Sequence, residues 1–224
     1  MVVKSSHVYS SLIVSISTQV IVGIWDILAL LTKVPTKLFF IKQLLWLELI
    51  VQIIEGSFYA HWYKNFHNYT NITPLRYYDW AISTPTMLTT LIFYLIFLKN
   101  KDGNLNFFKL LNQESYTLIV VLLLNWLMLL FGYLGEIKKM STLLSVFLGF
   151  IPFLIYYFII YKKYANLSEE GFNIFFYFFI VWSFYGLVAM LPYKLKNTCY
   201  NILDLFAKNF FGIFLGYLVF KNRK

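Results

Sequence analysis

The sequence predicts an all-α membrane protein in which seven transmembrane helices form one bundle, a single domain over residues 1–224. Three observations predict this class. First, 60% of the residues are hydrophobic and only 13% are charged, which leaves too little polar surface for a soluble fold of this size. Second, the mean hydropathy of +0.67 requires an apolar outer surface as well. Third, apolar stretches of about 20 residues, the length that crosses a bilayer, recur along the whole chain.

Seven such stretches qualify, and short polar or proline-containing breaks separate them. We refer to them as the first to seventh spans, at about 8–32, 38–62, 74–98, 113–135, 141–162, 172–192 and 198–220. The apolar run of the first span is long and is not followed by a small-residue cleavage site. We therefore expect it to be a membrane span rather than a signal peptide.

The charge of the chain points to lipid as its main partner. The formal net charge is +9, but Lys and Arg sit in short clusters between apolar stretches, as in loops that face an anionic membrane surface. We therefore expect no nucleic-acid partner. One cysteine, Cys199, excludes an internal disulfide framework and a cysteine-based metal cluster, and we expect neither a metal site nor an enzyme.

The distribution of Lys and Arg between the two ends of the spans predicts the orientation. Seven spans place the termini on opposite sides, and an extracellular N-terminus puts ten basic residues inside and six outside. The ten are Lys33, Lys37, Lys99, Lys101, Lys109, Lys162, Lys163, Lys221, Arg223 and Lys224. The six are Lys4, Lys64, Lys138, Lys139, Lys194 and Lys196. We therefore expect the N-terminus outside and the C-terminus in the cytoplasm.

Charged residues at bilayer depth are costly, so each is a functional hypothesis by default. The seventh span contains Asn201, Asp204 and Lys208 at spacings of three and four, so they share one face. Lys208 lies too deep in the span to reach the interface. One interpretation is a structural Asp204–Lys208 ion pair that ties helices together.

The third span carries two more charges. Arg76 and Asp79 are one turn apart, and Trp80 follows directly. Asp79 and Asp204 together balance Arg76 and a protonated Lys208. We therefore predict a neutral four-charge cluster, because only neutral, hydrogen-bonded groups are tolerated in a dry interior.

These two spans carry a recognisable combination of motifs. Arg76-Tyr-Tyr-Asp-Trp is followed by Thr84-Pro, and the seventh span reads Asp204-x-x-x-Lys208. The sixth span adds Trp182-Ser-Phe-Tyr. Together these motifs resemble the microbial (type 1) rhodopsins, and the resemblance covers the whole chain.

The resemblance implies a photoreceptor with all-trans retinal. Lys208 would form a protonated Schiff base with it, Asp79 and Asp204 would be the counterions, and Arg76 would be an ionic gate on the outer side. Asn125, with Met128 and Gly132, falls at the spacing of the family's ring-contacting positions. The retinal contacts that the resemblance implies are Trp80, Thr84, Met128, Gly132, Trp182 and Tyr185. Without the resemblance, the aromatic residues among them would be ordinary packing, since the chain has 24 Phe, 18 Tyr and 6 Trp.

Polar residues at helical spacing concentrate on four of the spans. They are Ser11, Ser15, Gln19 and Asp26 on the first, Glu48, Gln52 and Glu55 on the second, Ser83, Thr86 and Thr90 on the third, and Asn201 and Asn209 on the seventh. These spans are neighbours if the helices close into a ring in chain order. Such a stripe suits a cation path, because carboxylates and amides replace part of an ion's hydration shell. The alternative is that the glutamates only hydrogen-bond across helices in a proton pump.

The stripe also resembles the gates of channelrhodopsins. By that resemblance Ser15, Glu55 and Asn209 would form a central gate, with Glu48 and Asp26 on the cytoplasmic side. Gln19 and Asn201 are assigned to the same path, and Glu55 is expected to lie outside the primary counterions. The small size and short loops resemble the rhodopsins of large algal DNA viruses, whose first group are light-gated cation channels inhibited by calcium. We therefore expect a light-gated cation channel, in the membrane of a host cell if the protein is viral.

Three alternatives remain open. An outward proton pump is disfavoured because Thr90 stands eleven residues past Asp79, where pumps resembling bacteriorhodopsin have a donor acid, and because no acid occurs between Gly171 and Leu203. A sensory rhodopsin that signals through a partner is disfavoured by the expected lack of an extended tail. A transporter without pigment would require a purely structural Lys208. A homo-oligomer is compatible with each of these.

Overall fold

The computed structural model describes residues 5–100 and 105–223, and every regular element within them is helical. The α-helices are α1 (Ser5–Leu31), α2 (Phe39–Lys64), α3 (Thr73–Lys99), α4 (Phe107–Gln113), α5 (Ser115–Glu136), α6 (Thr142–Lys163), α7 (Glu169–Val188), α8 (Tyr193–Asp204) and α9 (Phe210–Lys221). A π-helical turn, Leu205–Asn209, joins α8 to α9, so these three elements form the seventh span. The predicted all-α class is confirmed. Lys4, Lys101 and Lys224, which we counted for the orientation, lie outside the described residues.

The predicted spans agree with the helices except at polar ends. The sixth span begins at Glu169, three residues before its predicted start, because Ser168 caps it by accepting a hydrogen bond from Gly171 N. The seventh span begins at Tyr193 instead of residue 198. α4 lies partly in the predicted break after the third span, where the Asn106 side chain caps it. Polar first turns lower the local hydropathy, so a hydropathy pattern places helix starts too late.

Six of the described helical segments are long and apolar enough to cross a membrane, and α2 is not among them. It has the right length, 26 residues, but it carries Glu48, Gln52 and Glu55, and all three are buried. These polar residues lower the mean hydropathy of α2. The membrane still tolerates the helix, because they face the interior of the bundle. Its position between α1 and α3 still makes it the second span.

The spans form a ring in chain order. α1 packs on α2, α2 on α3, α3 on α5, α5 on α6, α6 on α7 and α7 on α8, and both α8 and α9 close the ring against α1. α3 is the most enclosed span, with 72% of its central window buried compared with 28% for α5. The four spans with polar stripes, the first, second, third and seventh, are therefore adjacent, as predicted.

The outward surface is apolar. Large apolar side chains such as Ile21, Leu31, Tyr116 and Leu143 are at least 66% exposed. Inside the bundle lie the buried charged side chains of Asp26, Glu48, Glu55, Asp79, Asp204 and Lys208. Helices satisfy their own backbone groups, so an apolar exterior of this kind matches hydrocarbon as its solvent.

An exposed ion pair links the α4–α5 junction to the end of α6. Lys163 Nζ donates to Glu114 Oε2 at 2.7 Å, and the Tyr164 hydroxyl donates to the same oxygen at 2.5 Å. Burial acts to raise the pKa of the Glu114 carboxyl, but these two hydrogen bonds outweigh it, so the pKa is lowered below its usual value. The stabilisation is therefore present above the unfolded-state pKa, about 4.3, and is lost as pH falls through the folded-state pKa.

We expect Glu114→Gln to lower the free energy of unfolding at pH 7 by about 1 kcal/mol or less, because the Lys163 side chain is 46% exposed and solvent screens the pair. Unfolding in detergent micelles at pH 7 and pH 3 measures this effect. The difference from the wild type should become smaller at the lower pH, and Lys163→Gln should behave alike. A difference that is constant with pH would show that the ion pair does not stabilise the fold.

Candidate functional site

The site is centred on Lys208, which lies in the π-helical turn and is only 2% exposed. Its ammonium contacts three carboxylates: Asp79 Oδ2 at 2.5 Å, Glu55 Oε1 at 3.5 Å and Asp204 Oδ1 at 4.0 Å. Glu55 is thus closer to the amine than Asp204 is. Glu55 therefore belongs to the group of charges around the amine, and its expected place outside the primary counterions stays a prediction. The extra residue of a π turn rotates the side chains after it, and such turns occur often at functional sites.

Asp204 is fixed by three donors. The Tyr59 hydroxyl donates to its Oδ2 at 2.5 Å, and the Tyr185 hydroxyl donates to its Oδ1 at 2.7 Å. Arg76 Nη1 lies 3.2 Å from Oδ2. Asp204 therefore forms its strongest contacts on the side of Arg76, while Asp79 is the direct partner of Lys208.

Arg76 is fully buried on the opposite side of Asp204 from Lys208. Its Nε donates to Asn197 Oδ1 at 3.0 Å, and its Nη2 donates to Asn201 Oδ1. Its guanidinium lies 5.0–5.7 Å from the centroids of four aromatic rings, those of Phe58, Tyr59, Trp62 and Tyr200. Aromatic faces attract a cation, so these rings hold the Arg76 side chain in place. It blocks the interior between Lys208 and the end of the bundle at which α8 begins.

The charge balance differs from the predicted four-charge cluster. Two cations, Arg76 and Lys208, face three carboxylates, those of Glu55, Asp79 and Asp204. Full ionisation of all five would leave a net charge of −1 in a dry interior. The four-charge count omitted Glu55, because residue spacing along α2 does not show how close this side chain comes to the seventh span.

An apolar cavity adjoins the lysine. About 770 Å³ of space free of protein atoms, part of it open to the outside, adjoins the amine. Every residue that we predicted to contact a cofactor lines it together with Lys208: Trp80, Thr84, Met128, Gly132, Trp182 and Tyr185. The structure therefore brings residues from four spans around one space that ends at an amine.

Two glycines keep this cavity open. A Cβ at Gly132 would lie 2.7 Å from the Tyr77 hydroxyl, and one at Gly186 would lie 2.7 Å from the Phe150 ring. Gly186 and Phe150 were not predicted, although a glycine inside a helix costs about 1 kcal/mol and so signals a packing reason. Asn125, which we placed near the ring, instead donates to Thr84 Oγ1 at 2.8 Å and does not line the cavity.

The predicted gate residues lie close together but pair differently. Gln19 Nε2, rather than Ser15, donates to Glu55 Oε2. Ser15 Oγ donates to the backbone oxygen of Asn201 at 3.2 Å. The side-chain amide of Asn209 is buried without a hydrogen-bond partner in the described chain. No hydrogen bond among the described residues therefore joins Ser15, Glu55 and Asn209 directly.

One aromatic residue and one amide residue of the site were not predicted from the sequence. Tyr59 donates to Asp204, and Asn197 accepts from Arg76 and donates to Thr73 Oγ1 at 2.9 Å. A signal for both existed. Tyr59 lies four residues after Glu55, and Asn197 lies four residues before Asn201, so each continues a polar stripe by one helical turn.

The family model described as bacteriorhodopsin-like protein matches residues 7–222. The chain belongs to the bacteriorhodopsin-like family. Membership makes light-driven ion transport the supported class of function and implies a retinal chromophore. No curated protein sequence matches this chain.

Solved structures of the family share this fold. The viral rhodopsin OLPVRII is 25% identical, with a TM-score of 0.83 over 96% of this chain and 98% of its own. Xanthorhodopsin, a light-driven ion pump with dual chromophore, is 19% identical, with a TM-score of 0.75 over 97% and 94%. The proton-pumping rhodopsin AR2 from the marine alga Acetabularia acetabulum is 17% identical, with a TM-score of 0.73 over 98% of both chains. The last two comparisons establish the fold alone.

The residues present fit a covalently held polyene. The lysine amine ends an apolar cavity, a carboxylate stands 2.5 Å from it, and glycines leave space where side chains would intrude. An apolar molecule attached at the amine would find aromatic walls along its length and its only charge compensated at one end.

The buried pair Arg76–Asp204 should be strongly coupled in stability. We expect Arg76→Gln and Asp204→Asn each to lower the free energy of unfolding by about 3–5 kcal/mol, because each leaves a charge buried without its partner. The double variant should lose less than the sum of the two. Unfolding of the four proteins in mixed micelles gives the coupling, and strictly additive losses would show that the 3.2 Å contact contributes nothing.

Proposed function

We propose that this chain is a retinal-binding photoreceptor that acts as a light-gated cation channel. One observation carries the proposal: buried polar side chains of the first, second, third and seventh spans continue on both sides of Lys208. They include Ser15, Gln19, Asp26, Glu48, Gln52, Glu55, Asn201 and Asn209, and each is at most 5% exposed. An enclosed polar seam through an apolar bundle is what a cation needs to cross a membrane.

In this proposal Lys208 holds all-trans retinal in the apolar cavity, and the bound cofactor supplies the absorption of light and the change of shape that follows. Trp80 and Trp182 wall the cavity, and Thr84, Met128 and Gly132 complete it. Tyr185 has two roles, because it lines the cavity and also donates to Asp204. The walls exclude water from the amine end.

Asp79 is the group best placed to take a proton from Lys208 Nζ. Its Oδ2 is 2.5 Å from that nitrogen, and its Oδ1 has no hydrogen-bond partner in the described chain. The N–H bond breaks at Nζ and an O–H bond forms at Asp79. Asp204 is less suited, because Arg76, Tyr59 and Tyr185 already engage its oxygens.

The closed gate in this proposal is the contact of Glu55 with Gln19 and Lys208. A displacement of Nζ removes the 3.5 Å contact with Glu55 Oε1 and leaves this carboxylate free to face a passing cation. Ser15 and Asn201 then line the seam on the Arg76 side, and Asn209 and Glu48 line it on the other side. Glu55 therefore acts both as a counterion and as a gate.

A second candidate is an outward proton pump on the same scaffold. The direct Lys208–Asp79 contact favours it, and so does Arg76, which blocks the seam among four aromatic rings. Xanthorhodopsin and AR2, which share the fold, are named as pumps. The direction and reversibility of the photocurrent separate the two candidates.

We further propose that the N-terminus is extracellular. Basic residues concentrate at the end of the bundle opposite to Arg76, and they include Lys33, Lys37, Lys99, Lys162, Lys163 and Lys221. The excess of Lys and Arg on the cytoplasmic side of membrane proteins supports this orientation. The Arg76 side is then the outer side.

Protein supplied with all-trans retinal should be coloured, and Lys208→Ala should be colourless, because alanine leaves no amine to condense. Absorption spectra of the purified proteins measure this. Lys196→Ala is the matched control, since it removes another lysine amine from the same span, and it should keep the colour. A visible band that persists in Lys208→Ala would contradict the assignment of the lysine.

Illuminated membranes that contain the protein should pass a current that reverses sign with the cation gradient. Glu55→Gln should change the cation-to-proton selectivity or the closing rate, because it removes the charge but keeps the shape of the gate. It should also shift the colour, because Glu55 lies 3.5 Å from the charged nitrogen. Glu114→Gln, a carboxylate outside the seam, is the control.

Voltage-clamp recordings under several cation gradients test this expectation. A photocurrent that keeps one direction at every voltage, in wild type and variant alike, would contradict the channel and favour the pump.

A further inference from the structure

Two acidic side chains of the seam lie on the far side of Lys208 from Arg76, and neither takes part in the proton transfer from Lys208 to Asp79. Asp26 on α1 and Glu48 on α2 are both 0% exposed. None of their four carboxyl oxygens receives a hydrogen bond from the part of the chain that the structure describes. Buried carboxyls without donors are unusual, because an unpaired buried charge is costly.

The helix geometry sets these two acids opposite each other. Gln19 is bonded to Glu55 across the antiparallel pair α1–α2. Asp26 lies seven residues after Gln19, and Glu48 lies seven residues before Glu55. Seven residues are nearly two helical turns, about 10 Å, so both side chains return to the same face at the same level.

The seventh span leaves room for Asp26 at Gly212. A Cβ at this position would lie 2.7 Å and 3.1 Å from the two oxygens of Asp26, so the carboxyl packs against the helix where a side chain is missing. Asn209 lies one turn before Gly212, and Gln52 lies one turn after Glu48. Both amides are buried and have no hydrogen-bond partner within residues 5–100 and 105–223. These four residues, Asp26, Glu48, Gln52 and Asn209, form what we call the inner chamber.

No ion pair among the described residues involves Asp26 or Glu48. Lys208 is engaged by Asp79, Glu55 and Asp204, and Arg76 lies beyond Asp204. The described residues contain no group of three or more His, Cys, Asp or Glu side chains that could hold a metal ion. Protons are the remaining way to keep the inner chamber neutral.

We propose that Asp26 and Glu48 form a protonated carboxyl pair, an internal proton store for Lys208 Nζ on the side opposite to Arg76. The O–H bond of Glu48 breaks, and an N–H bond forms at Nζ after Asp79 has taken the earlier proton. Gln52 and Asn209 flank the route. The remaining carboxylate accepts a hydrogen bond from Asp26 until solvent at the inner end restores the proton. The transfer rests on the proposed function, whereas the protonation of the pair does not.

Solid-state NMR of protein labelled with ¹³C at the carboxyls of Asp and Glu tests the pair directly. The chain has only 10 such residues, so single losses are traceable. Without added retinal and at neutral pH, Asp26→Asn and Glu48→Gln should each remove a signal at the chemical shift of a protonated carboxyl. Glu114→Gln is the matched control and should remove an ionised one, because the hydrogen bonds of Lys163 and Tyr164 outweigh burial and lower its pKa.

Two results would overturn the protonated pair. One is the loss of an ionised signal in Asp26→Asn or Glu48→Gln. The other is a signal of the pair that shifts when sodium or calcium is added, which would make the inner chamber a cation site. Both variants are nearly isosteric, and their unfolding transitions should stay close to that of the control.

A kinetic experiment on the protein with bound retinal tests the proton transfer. After a flash, the visible band reports the return of the proton to Lys208 Nζ, and Glu48→Gln should slow this return at least tenfold. Gly212→Ala should slow it as well, because the new Cβ displaces Asp26. A small weak acid such as azide should restore the rate in both variants.

An unchanged return in both variants would overturn the proton store. A colourless wild type would instead contradict the proposed function. The NMR experiment would still test whether Asp26 and Glu48 carry protons, because it needs no retinal.

Discussion

The ammonium of Lys208 is the constraint on which the rest of this bundle depends. A cation that is 2% exposed in an apolar interior must be compensated locally, and Asp79 does so at 2.5 Å. Each compensating acid then needs its own partners. Asp204 obtains them from Tyr59, Tyr185 and Arg76, and Arg76 in turn requires amides and aromatic rings around its guanidinium. One buried charge thereby organises residues on four spans.

Lys208 also stands at the border between two kinds of interior. On one side the first, second, third and seventh spans enclose carboxyls and amides. On the other side the third to seventh spans enclose an apolar cavity walled by Trp80 and Trp182. A group attached at Nζ therefore touches both. In the proposed function, this arrangement lets a shape change in the apolar cavity alter the contacts of the charges in the polar seam.

The seam differs on its two sides of Lys208. Toward Arg76, the polar groups of Asn197, Asn201 and Asp204 are bonded to one another through defined contacts. Toward the inner chamber, those of Asp26 and Glu48 are buried and have no hydrogen-bond partner among the described residues. A hydrogen-bonded network is rigid and resists the passage of ions, whereas buried polar groups without partners can bind protons, water or ions. The two sides of the seam therefore differ in how firmly their polar groups are held.

Much of this protein followed from its sequence, and the reason is periodicity. Spacings of three, four and seven place residues on one face of a helix, so the shared faces of Asp204 with Lys208 and of Glu48 with Glu55 were predictable. Spacing does not fix the level or rotation of one helix against another. Only the tertiary structure could therefore decide that Gln19 rather than Ser15 meets Glu55, and that Glu55 approaches Lys208 more closely than Asp204 does. The π-helical turn that rotates Lys208 was hidden for the same reason, because it is set by packing between spans and leaves no mark in the hydrophobic pattern.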